Sequence, residues 1–353
     1  MISVQPSAKV TRLRQRRHRS PLVGPDESFY ASYSLANHQT RNVVTMTGQL
    51  LSTASPPEHI DRSSLDRDSS PMAKVVDVGC SRMILGDVLE VLASLDSDKF
   101  DLAIVDPPYG ASSKSAWHLR ADHELPGFGG EWKLSSSDWD RLTGASYLRW
   151  SLAWLAELKR VVRPTGSIWL HSSYHNSGIL NVACQSLGLE IINEVVWAKR
   201  NSFPNLSGRR LTASHETLLW VHTGGRRRQY RFNYPESKAY SDGGDSFKKA
   251  GFQMRTVWDL PNNKTKEELK FGSHPTQKPL RLLNRLVAIS GLENGSLIIP
   301  FSGSGSAVIA GLRGRMKPTA IEQEPTYFEK SVEWVRAESK SSKQMRLHLD
   351  SAE

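Results

Sequence analysis

FDLAIVDPPYG, residues 100–110, decides the fold. Its apolar run from Phe100 to Val105 does not alternate, so it reads as a strand buried on both faces, the kind found in parallel sheets covered by helices. Pro107 and Pro108 close it abruptly, because proline has no N–H to give to a ladder. Upstream, MILG at 83–86 is strand-like and leads into Val88, Leu89, Val91, Leu92 and Leu95 at helical spacing. Downstream, a Gly/Ser-rich loop runs to about residue 134, and residues 138–162 carry Leu142, Leu148, Leu152, Leu155, Leu158 and Val162 at helical spacing. RPTG at 163–166 is expected to stop that helix. SIWLH (167–171), LEIINEVVWAK (189–199) and TLLWVH (217–222) are further strand candidates. A helix from Pro279, the strand SLIIP (296–300), a helix from Ser306, the strand TAIE (319–322) and a helix from Pro325 complete the pattern. Strands separated by helices predict an α/β fold with a doubly wound, mostly parallel sheet.

The alternation is interrupted once. Residues 200–273 hold fourteen Lys and Arg against seven acids, a surplus of +7 within a chain whose net charge is +10. Tyr230, Phe232, Tyr234, Tyr240, Phe247 and Phe252 are interleaved with the charge, a pattern suited to a phosphate-rich partner. The expected organisation is therefore 74–199 and 274–340 as two parts of one domain, 200–273 as an inserted region, and 341–353 as a tail. Residues 1–70 begin with TRLRQRRHRSPL (11–22), carry no acid before Asp26 and lack apolar periodicity, so they are expected to be a disordered basic extension. A transit peptide, a solvated basic arm, or sequence upstream of a true start at Met72 are the alternatives. No apolar run is long enough to cross a bilayer, and no membrane partner is expected. The only cysteines, Cys80 and Cys184, have no histidines at ligand spacing, which points to a reducing, cytoplasmic setting without structural zinc.

Four motifs carry chemistry. Asp106-Pro107-Pro108-Tyr109 lies at the carboxyl end of a buried strand, where open α/β sheets bind their ligands. A carboxylate and a neighbouring carbonyl can accept both N–H groups of an exocyclic amine, whose lone pair is otherwise delocalised into its ring. Asp106 supplies the first acceptor, Pro107 the second, and Tyr109 a flat face for an extruded base. The bland alternative is a strand-to-loop turn. Phe301-Ser302-Gly303-Ser304-Gly305 follows SLIIP and opens a helix, so a ligand can approach its backbone closely. Nineteen residues after Gly303, Glu322 ends TAIE, where a carboxylate can accept two ribose hydroxyls. Thr276, Gln277 and Lys278 precede the helix at Pro279 and can either grip a carboxylate or form an ordinary helix entry. Asp87 can accept from an adenine amino group or simply cap a helix. Trp197 and Lys199, with Arg209, Arg210, His215 and Glu216, are loop or DNA-facing candidates. The Arg226-Arg227-Arg228 cluster can lie along phosphates or face solvent.

Together these residues resemble the beta-class DNA amino-methyltransferases, in which the catalytic motif precedes the glycine motif, as residue 106 precedes residue 303 here. The likeness covers about residues 80–335 and includes ILGDVLEVL, VDPPYG, VVWAKRN, HETLLWV, HPTQKPLRLLNRLV, PFSGSG and IEQEPTYF. The motif order is unlike that of protein-glutamine and RNA methyltransferases. The resemblance implies a Rossmann-like domain that uses S-adenosylmethionine to methylate adenine N6 in double-stranded DNA. Asp106, Pro107, Pro108 and Tyr109 would form the catalytic pocket, and Phe301 to Gly305 would line the cofactor, with Asp106 beside it. Thr276, Gln277 and Lys278 would hold its methionine end, Glu322 its ribose and Asp87 its adenine. Residues 200–273 would recognise the target. Relatives often carry Asp-Pro-Phe where this chain has Ile299-Pro300-Phe301, so no contact is expected from that aspartate. Relatives acting on cytosine N4 more often carry Ser at position 106. N4-cytosine methylation and a non-catalytic DNA-binding scaffold are the rival readings. Gly79 and Ala183 precede the cysteines, unlike the Pro-Cys pair of enzymes that attack ring carbons. A cognate restriction endonuclease and a homodimer are possible partners, and the bacterial cytoplasm is the expected location.

Overall fold

Alternate side chains of the strand at 100–105 point to opposite faces, and both faces are covered. Leu102 and Ile104 join one core with Trp169, Trp197, Leu218 and Trp220; Ala103 and Val105 join the other with Ile168, Leu170, Leu219 and Val221. This two-sided burial is why the run is uniformly apolar. A computed structural model describes residues 74–109, 144–202, 204, 209–224, 229–241, 244–271, 274 and 276–350, with 342–350 as helix backbone. The expected N-terminal extension and the Arg226–Arg228 cluster lie outside the described residues.

The elements run β1 (Lys74–Val78), β2 (Ser81–Leu85), α1 (Val88–Ser94), β3 (Phe100–Val105), α2 (Gly144–Val161) and β4 (Val162–Ser172). They continue with α3 (Ser177–Ser186), β5 (Glu190–Ala198), β6 (His215–His222), α4 (Tyr234–Ala239), β7 (Val257–Asp259) and α5 (Lys266–Leu269). The last are α6 (Leu280–Ser290), β8 (Ser296–Ile299), α7 (Ser306–Arg313), β9 (Lys317–Glu322) and α8 (Pro325–Asp350). They form a nine-stranded sheet in the order β1-β2-β9-β8-β3-β4-β6-β5-β7. From β2 to β4 all neighbours are parallel, whereas β6 runs antiparallel to both β4 and β5. Helices α1 to α3 cover one face, and α6 to α8 the other. From β3 the chain steps to β4 on one side; from β8, on β3's other side, it steps away to β9. The switch point therefore lies between the carboxyl ends of β3 and β8, where such sheets form their crevice.

The helix before RPTG ends at Val161, as expected, and RPTG itself forms a bulge inside β4, since the β3–β4 register jumps from Phe100↔Val162 to Leu102↔Ser167. Pro164 cannot donate to the ladder, and a Cβ at Gly166 would lie 2.7 Å from Val162 Cγ1 and 3.0 Å from the Asp101 carbonyl. Helix α8 runs from Pro325 to Asp350. Within the basic window, β6 and β7 are strands of the central sheet. Among the described residues, no helix is long and apolar enough to cross a membrane.

The rest of the window is tied to α6. Asn233 donates to the carbonyls of Ala288 and Gly291 at 3.0 and 2.9 Å. Arg285 is fully buried, pairs with Asp245 at 2.5 Å, and sits 5.5 and 5.0 Å from the ring centres of Tyr240 and Trp258. Removing the carboxylate takes a charged partner from a buried guanidinium, so Asp245→Ala should destabilise the domain by about 3–5 kcal/mol. A shift of urea midpoint corresponding to less than about 1 kcal/mol would show that the pair does not anchor this segment.

Candidate active site

Asp106 follows β3 on the same face as Leu102 and Ile104. His171 on β4 shares the face of Trp169, Glu216 on β6 that of Leu218 and Trp220, and Lys199 beyond β5 that of Trp197. Because β6 is antiparallel, its amino end meets the carboxyl ends of β3, β4 and β5, and these four residues share one edge of the sheet. Lys278, just before α6, closes over them. Its ammonium donates to Asp106 Oδ2 at 2.8 Å and to the Thr276 carbonyl at 3.1 Å, and lies 3.6 Å from Glu216 Oε2. Tyr109 donates to Asp106 Oδ1 at 2.7 Å and reaches Glu216 Oε2 at 3.4 Å. Lys199 donates to Glu216 Oε1 at 3.0 Å. Behind the loop, Asn176 donates to Tyr147 Oη at 2.8 Å, and Tyr147 donates to the Pro108 carbonyl, also at 2.8 Å. That chain fixes the Pro-Pro segment against α2 and α3.

Two carboxylates and two ammonium groups thus share a largely dry pocket. Burial alone would raise the Glu216 carboxyl, but the ammonium groups of Lys278 and Lys199 outweigh it and hold the group down at about 2. Burial alone would lower the Lys278 ammonium, yet Asp106 and Glu216 together raise it. Burial, reinforced by the two carboxylates, raises the Tyr109 hydroxyl far above its ordinary value. The pocket is therefore a closed set of ionised pairs around a neutral phenol.

Across the switch point, Phe301 to Gly305 turn from β8 into α7. Gly303 and Gly305 have φ of +50° and +85°, and a Cβ at Gly305 would lie 2.9 Å from that of Ser331, so glycine is required there. Glu322 accepts from the backbone N–H groups of Gly303 at 2.7 Å and Glu324 at 2.9 Å, which fixes both of its oxygens. Burial raises its carboxyl despite those donors. The buried Ser302 hydroxyl has no hydrogen-bond partner among the described residues. Ser304 is buried beside it, and Phe301 packs on Trp150 and Trp154, 5.7 and 5.6 Å away between ring centres. Asp87 caps α1, its Oδ1 accepting from Leu89 N at 2.8 Å, and Gly86 N donates to the Glu322 carbonyl at 2.9 Å. Asp87 and Glu322 thus stand at neighbouring strand ends.

Most of the expected site residues gather at this edge. Asp106, Pro107, Pro108, Tyr109 and Lys278 meet at β3; Phe301 to Gly305, Glu322 and Asp87 lie beside them. Two depart from expectation. Gln277 turns inward, is buried, and donates to the Glu268 carbonyl at 3.0 Å, which makes it part of the helix entry. Lys199 sits in the pocket rather than on a solvated face. Arg209 and Arg210 are exposed, and Arg210 donates to Tyr174 Oη at 2.9 Å beyond the carboxyl end of β4. Arg231 donates its backbone N–H to the Thr165 carbonyl at 3.2 Å, at the opposite end of β4. Glu216 and His171 were not singled out as pocket residues from sequence. Their signal was parity, since each shares the alternation of buried tryptophans on its own strand. His274 also joins the edge: its Nδ1 accepts from Thr276 N at 3.3 Å, so its proton sits on Nε2, and its ring lies 4.3 Å from that of Tyr327.

The family model for DNA methylases matches residues 100–333. The type II methyltransferase M2.LlaDCHI of Lactococcus lactis subsp. cremoris is 30% identical over 252 residues, covering 70% of this chain and 86% of that protein. The type II methyltransferase M2.DpnII of Streptococcus pneumoniae is 29% identical over 266 residues, covering 74% and 92%. Among solved structures, the PvuII DNA methyltransferase (cytosine-N4-specific) superimposes with a TM-score of 0.54 at 16% identity, over 72% of this chain and 86% of that one. That last likeness is one of fold.

The imidazole of His171 gives the site an acid signature. It is fully buried, neither ring nitrogen has a partner among the described residues, and burial pushes it down to about 4, past the opposing pull of Asp106. The unfolded chain takes up that proton near pH 6.5, so between about 6.5 and 4 the unfolded state binds more protons and stability falls as pH falls. One such group costs about 3 kcal/mol over the window. His171→Phe keeps a ring of similar shape, so its loss of unfolding free energy between about pH 7 and pH 4 should be smaller than wild type by that amount. Equal losses in urea melts would refute the assignment.

Proposed function

The chain belongs to the DNA methylase family, and on that premise we propose that it methylates the N6 amino group of adenine in duplex DNA, with S-adenosylmethionine as donor. It is a DNA methyltransferase of the N6/N4 type; adenine, base extrusion and the roles of single residues are our reading. The observation that carries the reading is the Asp106 carboxylate at the end of β3, beside the glycine turn that follows its parallel neighbour β8. A carboxylate rather than a hydroxyl at this position favours adenine over cytosine, following the resemblance noted above.

S-adenosylmethionine, when bound, supplies a sulfonium-activated methyl group. The residues beside β8 and β9 suit it: a glycine turn with open backbone, the Glu322 carboxylate, Asp87 on the next strand end, and the unsatisfied Ser302 hydroxyl. Phe301 to Gly305 would line it, with Glu322 at its ribose and Asp87 at its adenine. Thr276 and Lys278 would serve its methionine end, while Gln277 supports them from the helix entry. The target adenine leaves the stack and enters beside Tyr109. Its amino group donates one N–H to Asp106 and the other to the Pro107 carbonyl, the acceptor adjacent to the Pro108 carbonyl that Tyr147 holds. Those two bonds would draw the nitrogen lone pair out of the ring, so that an N–C bond could form in line to the donated methyl group as its S–C bond breaks, with the neutral thioether as leaving group. The proton it sheds passes to Asp106 and then to solvent. No covalent enzyme intermediate is required.

DNA contact is assigned first to Arg209 and Arg210, at the catalytic end of the sheet, with the loops of 200–273 reading the target. The type II designation of both relatives supports a place in restriction-modification, beside a cognate endonuclease.

Asp106→Ala should lower turnover by about 10²–10³, or about 2.7–4 kcal/mol, by analogy with a lost oxyanion donor, while cofactor affinity holds. Near-wild-type turnover would end the mechanism. Nucleoside mass spectrometry of DNA from a host expressing the protein should find N6-methyladenine; N4-methylcytosine alone would overturn the choice of base. In salt titrations of DNA binding, Arg209→Ala with Arg210→Ala should reduce the slope by about 2. A triple alanine variant of Arg226, Arg227 and Arg228 should reduce it further if that cluster also lies on phosphates, and an unchanged slope assigns the cluster to solvent.

A further inference from the structure

Both oxygens of the Asp106 carboxylate are already taken, Oδ1 by the Tyr109 hydroxyl at 2.7 Å and Oδ2 by the Lys278 ammonium at 2.8 Å. The same ammonium stands 5.0 Å from the centre of the Tyr109 ring. An N–H group donating to Asp106 beside the Tyr109 ring is what the target amine must become under the function proposed above, on which this inference rests. Lys278 therefore holds the target's place, and an incoming amine reaches Asp106 only as a resident donor lets go.

A buried ammonium cannot release one carboxylate unless another receives it, because an unpaired charge in a dry pocket is strongly unfavourable. Glu216 is placed to receive it. Its Oε2 lies 3.6 Å from the Lys278 ammonium and 3.4 Å from the Tyr109 hydroxyl, so a shift of about 1 Å brings either donor to full bonding distance. Its other oxygen is held by Lys199 at 3.0 Å, and its backbone is fixed by pairing with Trp197 on β5. The acceptor is thus rigid while the donors are at the ends of side chains that can swing. We infer that Glu216 is a positioning residue that takes over Lys278 and Tyr109 when the target amine claims Asp106. The exchange keeps both ammonium groups on a carboxylate, and Asp106 exchanges its resident donors for the N–H of the entering amine.

The test reads base occupancy rather than turnover. Once modified-base sequencing has identified the methylated site, 2-aminopurine placed next to the target adenine reports, by its fluorescence, departure of that adenine from the stack. Glu216→Gln keeps the shape but removes the charge that receives Lys278, so occupancy should fall about ten- to hundredfold, the worth of one charge-assisted bond, with overall DNA affinity little changed. Glu216→Asp should recover part of it. Adding Lys278→Met to Glu216→Gln removes the resident competitor and should raise occupancy above that of the single variant, which a merely structural role would not do. Wild-type occupancy in Glu216→Gln, or a double variant no better than the single, overturns the inference. If Glu216→Gln unfolds because Lys199 loses its partner, Lys199→Met with Glu216→Gln restores charge balance and carries the same comparison. A wild-type protein that neither methylates DNA nor extrudes the base refutes the functional reading instead.

Discussion

The ion pair between Lys278 and Asp106 is the contact on which the pocket at the carboxyl end of β3 depends. Without the ammonium, Asp106 and Glu216 would be two carboxylates facing one another across a single phenol in a pocket with little water, and like charges so placed cannot both persist. With it, and with Lys199 on the far side, the four ionised groups balance. Every other distance in the pocket follows from that balance: Tyr109 bridges the two acids, the entry to α6 is drawn down onto the sheet, and His171, enclosed among them, stays neutral.

What brings these groups together is topology rather than sequence proximity. Asp106 and Gly303 are nearly two hundred residues apart, yet β3 and β8 are neighbours and parallel, so the acid and the glycine turn emerge side by side. The order in which the chain visits the two halves does not matter to the crevice, because only adjacency and direction at the switch point place the ligands. The antiparallel β6 completes the arrangement, since a parallel strand there would carry Glu216 to the opposite pole.

That last point explains what was readable in the sequence and what was not. The buried strand before Asp106, the glycine turn, and Glu322 at the end of β9 were legible, because each is announced by local residues: an uninterrupted apolar run, a GxG, a carboxylate at a strand end. The doubly wound sheet followed from their alternation. Glu216 and Lys199 were not legible as pocket residues, because their charges suggest a surface and only strand direction reverses that reading. Lys278 was legible as a residue of the cofactor side, but its contact with Asp106 was not, because no motif announces a pair between residues so far apart in the chain. RPTG was legible as the end of the helix, because proline and glycine stop it, but only the strand register shows that the chain has already entered β4. The basic window was legible as charge but not as architecture. Its surplus concealed that Arg200 is claimed by Asp259 of the same window, and that Asp245 is claimed from outside it by Arg285 of α6.

Helix α6 joins these two halves of the problem. Its entry carries Lys278, which holds the catalytic acid, and two turns later Arg285 grips Asp245 in the window that would read the target. A helix rises only about 1.5 Å per residue and does not stretch, so displacement of one grip is transmitted to the other as a rigid shift or not at all. Burial of Arg285 against Trp258 and Tyr240 thus ties the window to the same helix whose entry holds Asp106 through Lys278.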